Sequence, residues 1–328
     1  MEEGITIVLD SGELLSGICG VNDGNLKVIE GSLGGRIAAR GNEIRFEGAE
    51  AGVRCFKTMI DSLIAAVQEG EIPSPEYVEA LAAALIPGGN EPVFRPAEGA
   101  SQGGGPFRDA MIQIPHGFHR VYPRSKNQAA YIQGMRSRDI SFCVGPAGTG
   151  KTYLAIAEAL RLVLSKKARK LVLTRPVVEA GENLGFLPGD LTQKINPYLR
   201  PLYDAMESLI PFEVIRRMEE TRAIEIAPLA YMRGRSLNDC VVILDEAQNT
   251  TKEQMKMFLT RIGQGARAVV TGDATQIDLP RKTDSGLLHA VEILRTVEGI
   301  YFAFLHTADV VRNPLIKKII QAYDDQEI

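Results

Sequence analysis

Gly145-Pro146-Ala147-Gly148-Thr149-Gly150-Lys151-Thr152 is the stretch that decides the fold. It follows a short apolar run, Ile140 to Val144, and precedes a helical stretch from Tyr153 to Leu164. This is the G-x-x-x-x-G-K-[ST] pattern in its strand, loop and helix setting. Glycines let successive backbone N–H groups curl around phosphates, and the helix N-terminus adds positive potential. In that reading Gly145 to Thr152 cradle a nucleotide, Lys151 reaches its β- and γ-phosphates, and Thr152 ligates Mg²⁺. A chance Gly-rich turn would have no reason to sit between a buried strand and a helix.

Such a loop needs an acidic partner at the end of a neighbouring strand, and Val241-Val242-Ile243-Leu244-Asp245-Glu246 supplies one. Asp245 would hold Mg²⁺, and Glu246 would accept a proton from water attacking the γ-phosphate. Two acids after a strand also suit an ordinary helix N-terminus, but pairing with the phosphate loop favours the site. Gln248 follows in Asp-Glu-Ala-Gln, and Gln276 closes Gly272-Asp273-Ala274-Thr275-Gln276 after the next apolar run. A Gln amide both donates and accepts, so Gln248 and Gln276 are candidates for sensing the γ-phosphate without competing for the proton. Upstream, Gln128 in Lys126-Asn127-Gln128 is a candidate for the adenine edge, although a polar helix start explains it equally well.

Six short apolar runs alternate with helical stretches: Ile140 to Val144, Lys170 to Thr174, Ala223 to Ile226, Cys240 to Leu244, Arg267 to Thr271 and Ile300 to Phe304. Continuous runs of this kind suit strands covered on both faces, so the spacing predicts an α/β domain with a mostly parallel sheet over residues 123–328. Residues 87–122 are rich in Gly and Pro and read as a linker. Residues 1–86 read as a small α+β domain of order β-α-β-β-α with a further helix at Pro75 to Leu85. That head is similar to a KH-like module, with Gly31-Ser32-Leu33-Gly34 in the place of the GxxG loop. Charge divides along the same boundaries. The whole chain carries 37 basic and 41 acidic residues, but residues 1–86 hold 6 and 14 (net -8), and residues 123–328 hold 28 and 24 (net +4). The acidic head with one nearby Arg36 argues for docking or self-association there over RNA binding.

GPAGTGKT, LTRPVVEAGENLGFLPGDL, MRGRSLND, VVILDEAQN, TGDATQIDLP and DVVRNPLI together resemble the PhoH-like ATPases, and in particular bacterial YbeZ-type members with a KH-like extension. The resemblance covers the α/β domain. It implies a RecA-like P-loop NTPase domain related to the first domain of superfamily 1 helicases, with ATP and Mg²⁺ as cofactors. It also implies coupling to single-stranded RNA or rRNA, a YbeY-type endoribonuclease as partner, and a hexameric ring. A helicase has a second RecA-like domain, which this length leaves no room for, so arginines acting on the γ-phosphate are expected from Arg312 in cis or from Arg233, Arg235 or Arg281 of a neighbouring copy. In the helicase arrangement Arg175, Lys194 and Arg200 are candidate RNA phosphate contacts, and Phe186 and Tyr198 candidate stacking platforms.

Other classes are less well supported. Four cysteines lie far apart with no Cys-x-x-Cys pair, so neither a disulfide framework nor a zinc ribbon is indicated. No apolar run approaches the roughly 20 residues of a membrane span, and the acidic start lacks a basic n-region. A cytoplasmic protein is expected. A small-molecule kinase would need an Arg-rich lid that is not visible, whereas a nucleotide-gated adaptor for a nuclease fits the acidic head.

Overall fold

The computed structural model describes residues 3–68, 72–85, 109–176, 191–281 and 284–310. The chain forms two compact units: Met1–Ala110 with Tyr122–Ala129, and Met111–Val121 with Ala130–Ile328.

In the first unit β1 (Glu3–Val8), β2 (Arg36–Arg40) and β3 (Glu43–Gly48) form an antiparallel sheet of order β1-β3-β2. Alternation in β3 sends Ile44 and Phe46 inward and Arg45 and Glu47 outward. Helices α1 (Gly12–Cys19), α2 (Gly24–Leu33), α3 (Glu50–Gln68) and α4 (Pro75–Leu85) complete it. The α3 face of Phe56, Met59, Ile60 and Leu63 is fully buried, and Phe56 stacks on Phe46 at 4.8 Å. Helix α1 was not expected, because Gly12 and Gly17 depress helix propensity across it; burial of Leu14 and Ile18, the Ser11 cap and Gly20 at its C-terminus hold it. Gly31 to Leu33 form the last turn of α2, and Gly34, at φ 67°, caps it with its N–H on the Glu30 carbonyl. The Gly31 to Gly34 segment is therefore a helix end here.

In the second unit β6 (Ile140–Val144), β7 (Lys170–Arg175), β8 (Ile224–Pro228), β9 (Cys240–Leu244), β10 (Arg267–Gly272) and β11 (Ile300–Phe304) form one sheet of order β11-β6-β10-β9-β7-β8. All five pairings are parallel. Phe142, Val172, Val242, Leu244 and Val270 are buried in one core cluster, as continuous apolar strands require. After α5 (Lys126–Ser137), helix α6 (Lys151–Leu164) packs across β7, β9 and β10. Helices α7 (Leu191–Glu207), α8 (Phe212–Glu220), α9 (Lys252–Leu259) and α10 (Gly286–Leu294) follow in the loops between strands.

The expected linker is corrected in its second half. Strands β4 (Ile112–Gln113) and β5 (Arg120–Val121) pair as an antiparallel hairpin that belongs to the second unit. Ile112 and Ile114 are fully buried. Their alternation with polar residues is only two turns of the pleat long, too short to stand out beside so many Gly and Pro. Residues 87–108 lie outside the described residues.

Candidate nucleotide-binding site

Parallel topology puts the C-terminal ends of β6, β9 and β10 side by side, with β10 between the other two. Ligands of open α/β sheets bind at that edge. After β6 the loop reverses at Gly148 and Gly150, which hold φ 78° and 81°. A Cβ in this left-handed region costs about 1–2 kcal/mol, so glycine is required at both points. Helix α6 then starts without any side-chain cap, leaving its first N–H groups available to an anion.

Lys151 is buried and folds back over the loop, its Nζ donating to the carbonyls of Gly145 at 2.6 Å and Pro146 at 2.7 Å. Burial lowers its pKa from the ordinary lysine value, and the surrounding Cys143, Asp273, Glu246 and Asp245 oppose that shift. Thr152 Oγ1 donates to Asp245 Oδ1 at 2.6 Å, and Thr271 Oγ1 donates to the same oxygen at 2.7 Å. One buried carboxylate thus gathers the phosphate loop, β9 and β10. A hydroxyl and a carboxylate oxygen in contact are hard donors, the set that Mg²⁺ takes when phosphate and water complete its shell, so these residues fit the metal.

Glu246 stands in the left-handed region at φ 53° and ψ 38°. That strained backbone turns its side chain, 39% exposed, toward Arg175. Arg175 Nη2 donates to Glu246 Oε1 at 2.7 Å, and its Nε lies 3.1 Å from Asp245 Oδ2. The other Glu246 oxygen accepts from Gln248 Nε2 at 2.6 Å. A cavity of about 310 Å³ opens over these groups, and Lys151, Thr152, Asp245, Glu246, Asp273 and Gln276 are in its wall.

The wall also holds residues that sequence reading did not assign to it: Arg175, Asp273, and Pro201 and Ala205 of α7. Asp273 Oδ1 accepts from the backbone N and hydroxyl of Thr275, at 2.9 and 2.6 Å. Its buried Oδ2 finds no donor among the described residues. The Gly-Asp-x-x-Gln pattern was the available signal for Asp273. Gln248 differs from expectation: it is 1% exposed, does not line the cavity, and spends its amide on Glu246 and, at 3.0 Å, on the Asp273 N–H. It positions the site's acids and is not a nucleotide contact in this geometry. Gln128 is counted with the first unit, buried, its Oε1 accepting the Arg124 N–H at 2.6 Å.

Of the arginines expected to act in trans, Arg233 and Arg281 are exposed, while Arg235 forks onto Glu225, with Nη2 to Oε2 at 2.8 Å. Arg200 is exposed and pairs with Asp204 at 2.8 Å in its own helix. Lys194 and Tyr198 fall on α7. Phe186 and Arg312 lie outside the described residues. No helix among the described residues is long and apolar enough to cross a membrane.

A parallel sheet with its phosphate loop and acidic strand end joined in this way defines a RecA-like P-loop NTPase fold. Residues 120–324 match the family model described as PhoH-like protein. The chain is 46% identical to a PhoH-like protein of Mycobacterium leprae, over 96% of this chain and 87% of that one. It is 43% identical to a PhoH-like protein of Bacillus subtilis, over 94% and 93%. It is also 42% identical to Protein PhoH of Escherichia coli, over 62% and 58%. The chain belongs to the PhoH-like protein family.

Proposed function

We propose that this protein is a Mg²⁺-dependent ATPase whose hydrolysis is coupled to single-stranded RNA. The observation that carries the hydrolytic part is the 2.6 Å hydrogen bond from Thr152 to Asp245, with Glu246 beside it at the cavity. Thr152 and Asp245 would hold Mg²⁺, which when bound would supply charge neutralisation to the phosphates. Lys151 exchanges the Gly145 and Pro146 carbonyls for phosphate oxygens. Glu246 accepts the proton of the attacking water at an oxygen it shares with, or regains from, one of its two donors, and Gln276, exposed at the cavity mouth, orients that water or reads the γ-phosphate. Arg312 in cis, or Arg233 or Arg281 from a neighbouring copy of a hexameric ring, completes the charge stabilisation. Glu246→Gln tests this: it should bind ATP and release almost no phosphate, and hydrolysis at the wild-type rate sinks the proposal.

The RNA part is supported by Arg175, which ends β7 and lines the cavity, and by α7, which reaches the cavity through Pro201 and Ala205. A strand along Lys194, Tyr198 and Arg200 would lie next to the nucleotide. With a net charge of +4 on residues 123–328, binding is expected to be moderate and steeply salt-dependent. ATPase rates with and without single-stranded RNA at two salt concentrations test it; no stimulation at low salt removes the coupling. The net -8 of residues 1–86 supports a docking role toward an endoribonuclease, tested by co-purification with and without those residues.

A further inference from the structure

A second cavity, of about 550 Å³, opens in the same unit at the opposite edge of the sheet. Its walls come from the β4 strand and the residues around it, the C-terminal ends of α5 and α6, and the first residue of β10. Helix α6 begins at the phosphate loop and ends here, and its 14 residues separate the two places by about 21 Å. Four cations face this cavity: Arg136, Arg161, Lys167 and Arg267. No Asp or Glu is among the described residues that line it.

Three of the four charges are held in place. Glu158, 3% exposed behind the wall, accepts from Arg161 Nε at 2.9 Å and from Arg136 Nε at 3.3 Å, so one buried carboxylate fixes two guanidinium planes. Arg136 is anchored a second time, its Nη2 donating to the Met111 carbonyl at 2.8 Å. Arg267 Nη1 lies 3.4 Å from the Met135 carbonyl. Four cationic side chains thus line a single space, two of them sharing Glu158. Helix C-termini favour cations and help to hold them there, and an anion entering the space would relieve their mutual repulsion. Preorganised guanidinium forks match phosphate oxygens in pairs, and the volume lies within the roughly 300–1,000 Å³ of small-ligand sites.

We infer that this cavity is a binding site for a phosphate-bearing anion, separate from the nucleotide site and joined to it by α6. Two sources share that chemistry: a free polyphosphate or nucleotide, and a phosphate run of a nucleic-acid strand. Binding there requires no hydrolysis at the phosphate loop.

The test uses the full chain with its phosphate loop saturated by a non-hydrolysable ATP analogue and Mg²⁺. Fluorescent single-stranded RNA of 12 nucleotides and inorganic tripolyphosphate are the two probes. Lys167→Glu with Arg267→Glu, which leaves the Glu158 cluster intact, should weaken at least one probe about tenfold or more and leave analogue affinity unchanged. Loss of the tripolyphosphate arm identifies a free anion, and loss of the RNA arm alone identifies a strand. In the latter case the salt slope should fall by about 1.4, at about 0.7 for each of two lost contacts. The milder Lys167→Gln with Arg267→Gln covers the case in which the reversal fails to fold. Unchanged affinity for both probes in folded variants overturns the inference. So does an equal loss in a control reversal of the exposed Lys252 and Lys256, which would report only bulk charge. If Lys151→Ala removes probe binding and the cavity variants do not, the probes sit at the phosphate loop and the inference is again overturned, whereas the ATPase reading stands.

Discussion

Arg175→Ala is expected to raise the rate of ATP hydrolysis measured without RNA. Glu246 Oε1 receives the Arg175 guanidinium at 2.7 Å while its other oxygen receives Gln248, so each oxygen already holds one donor, and a water must share an oxygen with a donor or displace one. A hydrogen bond to a charged group contributes about 1.5–3 kcal/mol. Arg175 is 15% exposed but Glu246 is 39% exposed, so solvent screening reduces this to about 1–2 kcal/mol. If that cost is part of the barrier, its removal corresponds to about a 5- to 30-fold faster turnover. The assay is phosphate release at saturating ATP and Mg²⁺, with analogue binding measured alongside. Arg175→Lys, which keeps one charge but cannot span Asp245 and Glu246 together, should fall between wild type and Ala. Adding Glu246→Gln to Arg175→Ala should abolish the gain, because the faster path still uses that base. A rate equal to or below wild type, in a variant that folds and binds the analogue normally, refutes the reasoning and makes Arg175 a supporting group instead of a restraint.

Three further outcomes follow from the packing. Burial pushes the thiol pKa up at Cys19, Cys143 and Cys240, whereas Cys55 is only half-buried, so a thiol reagent at pH 8 should modify about one cysteine in the native protein and four after denaturation. Gly134→Ala would put a methyl 2.1 Å from the Tyr301 ring, and the resulting overpacking, about 1–3 kcal/mol, outweighs the helix propensity gained; Tm measured by calorimetry should fall by about 2–8 °C. Asn25, wholly buried, donates to the carbonyls of Ile18 and Pro73 at 2.9 Å each, so Asn25→Ala strands two acceptors; hydrogen exchange across α1 and α2 should accelerate about 30-fold or more while β6 to β10 keep their protection.

The sheet was legible in the sequence because buried parallel strands announce themselves as continuous apolar runs, and all six runs became strands. The phosphate loop and the acids after β9 were legible because their chemistry is carried by local spacing. Helix α1 and the β4–β5 hairpin were hidden for a shared reason. Both are short, rich in or adjacent to glycine, and held by burial against distant parts of the chain. Gln248 shows a different limit. Its amide suits a γ-phosphate on chemical grounds, but which donor and acceptor it uses depends on Asp273, 25 residues later. The link from Arg175 to Glu246 spans 71 residues. A spacing motif cannot display it, and sequence reading assigned Arg175 to nucleic acid alone.

That double assignment makes a coupling prediction possible. Arg175 sits where a nucleic-acid phosphate and the Glu246 carboxylate would compete for one guanidinium. A phosphate that captures Nη2 frees Glu246 Oε1 without moving Gln248, which stays tied to the Asp273 N–H. RNA and Arg175→Ala then act on the same hydrogen bond and cannot add. In wild type, saturating single-stranded RNA at low salt should raise turnover by at most the factor that Arg175→Ala gives alone, and in Arg175→Ala the further stimulation should shrink to nearly onefold. RNA binding itself should weaken only modestly, since one contact of several is lost. A folded Arg175→Ala that binds RNA and is still stimulated as strongly as wild type would place the coupling elsewhere. The remaining route would be α7, which reaches the cavity independently through Pro201 and Ala205.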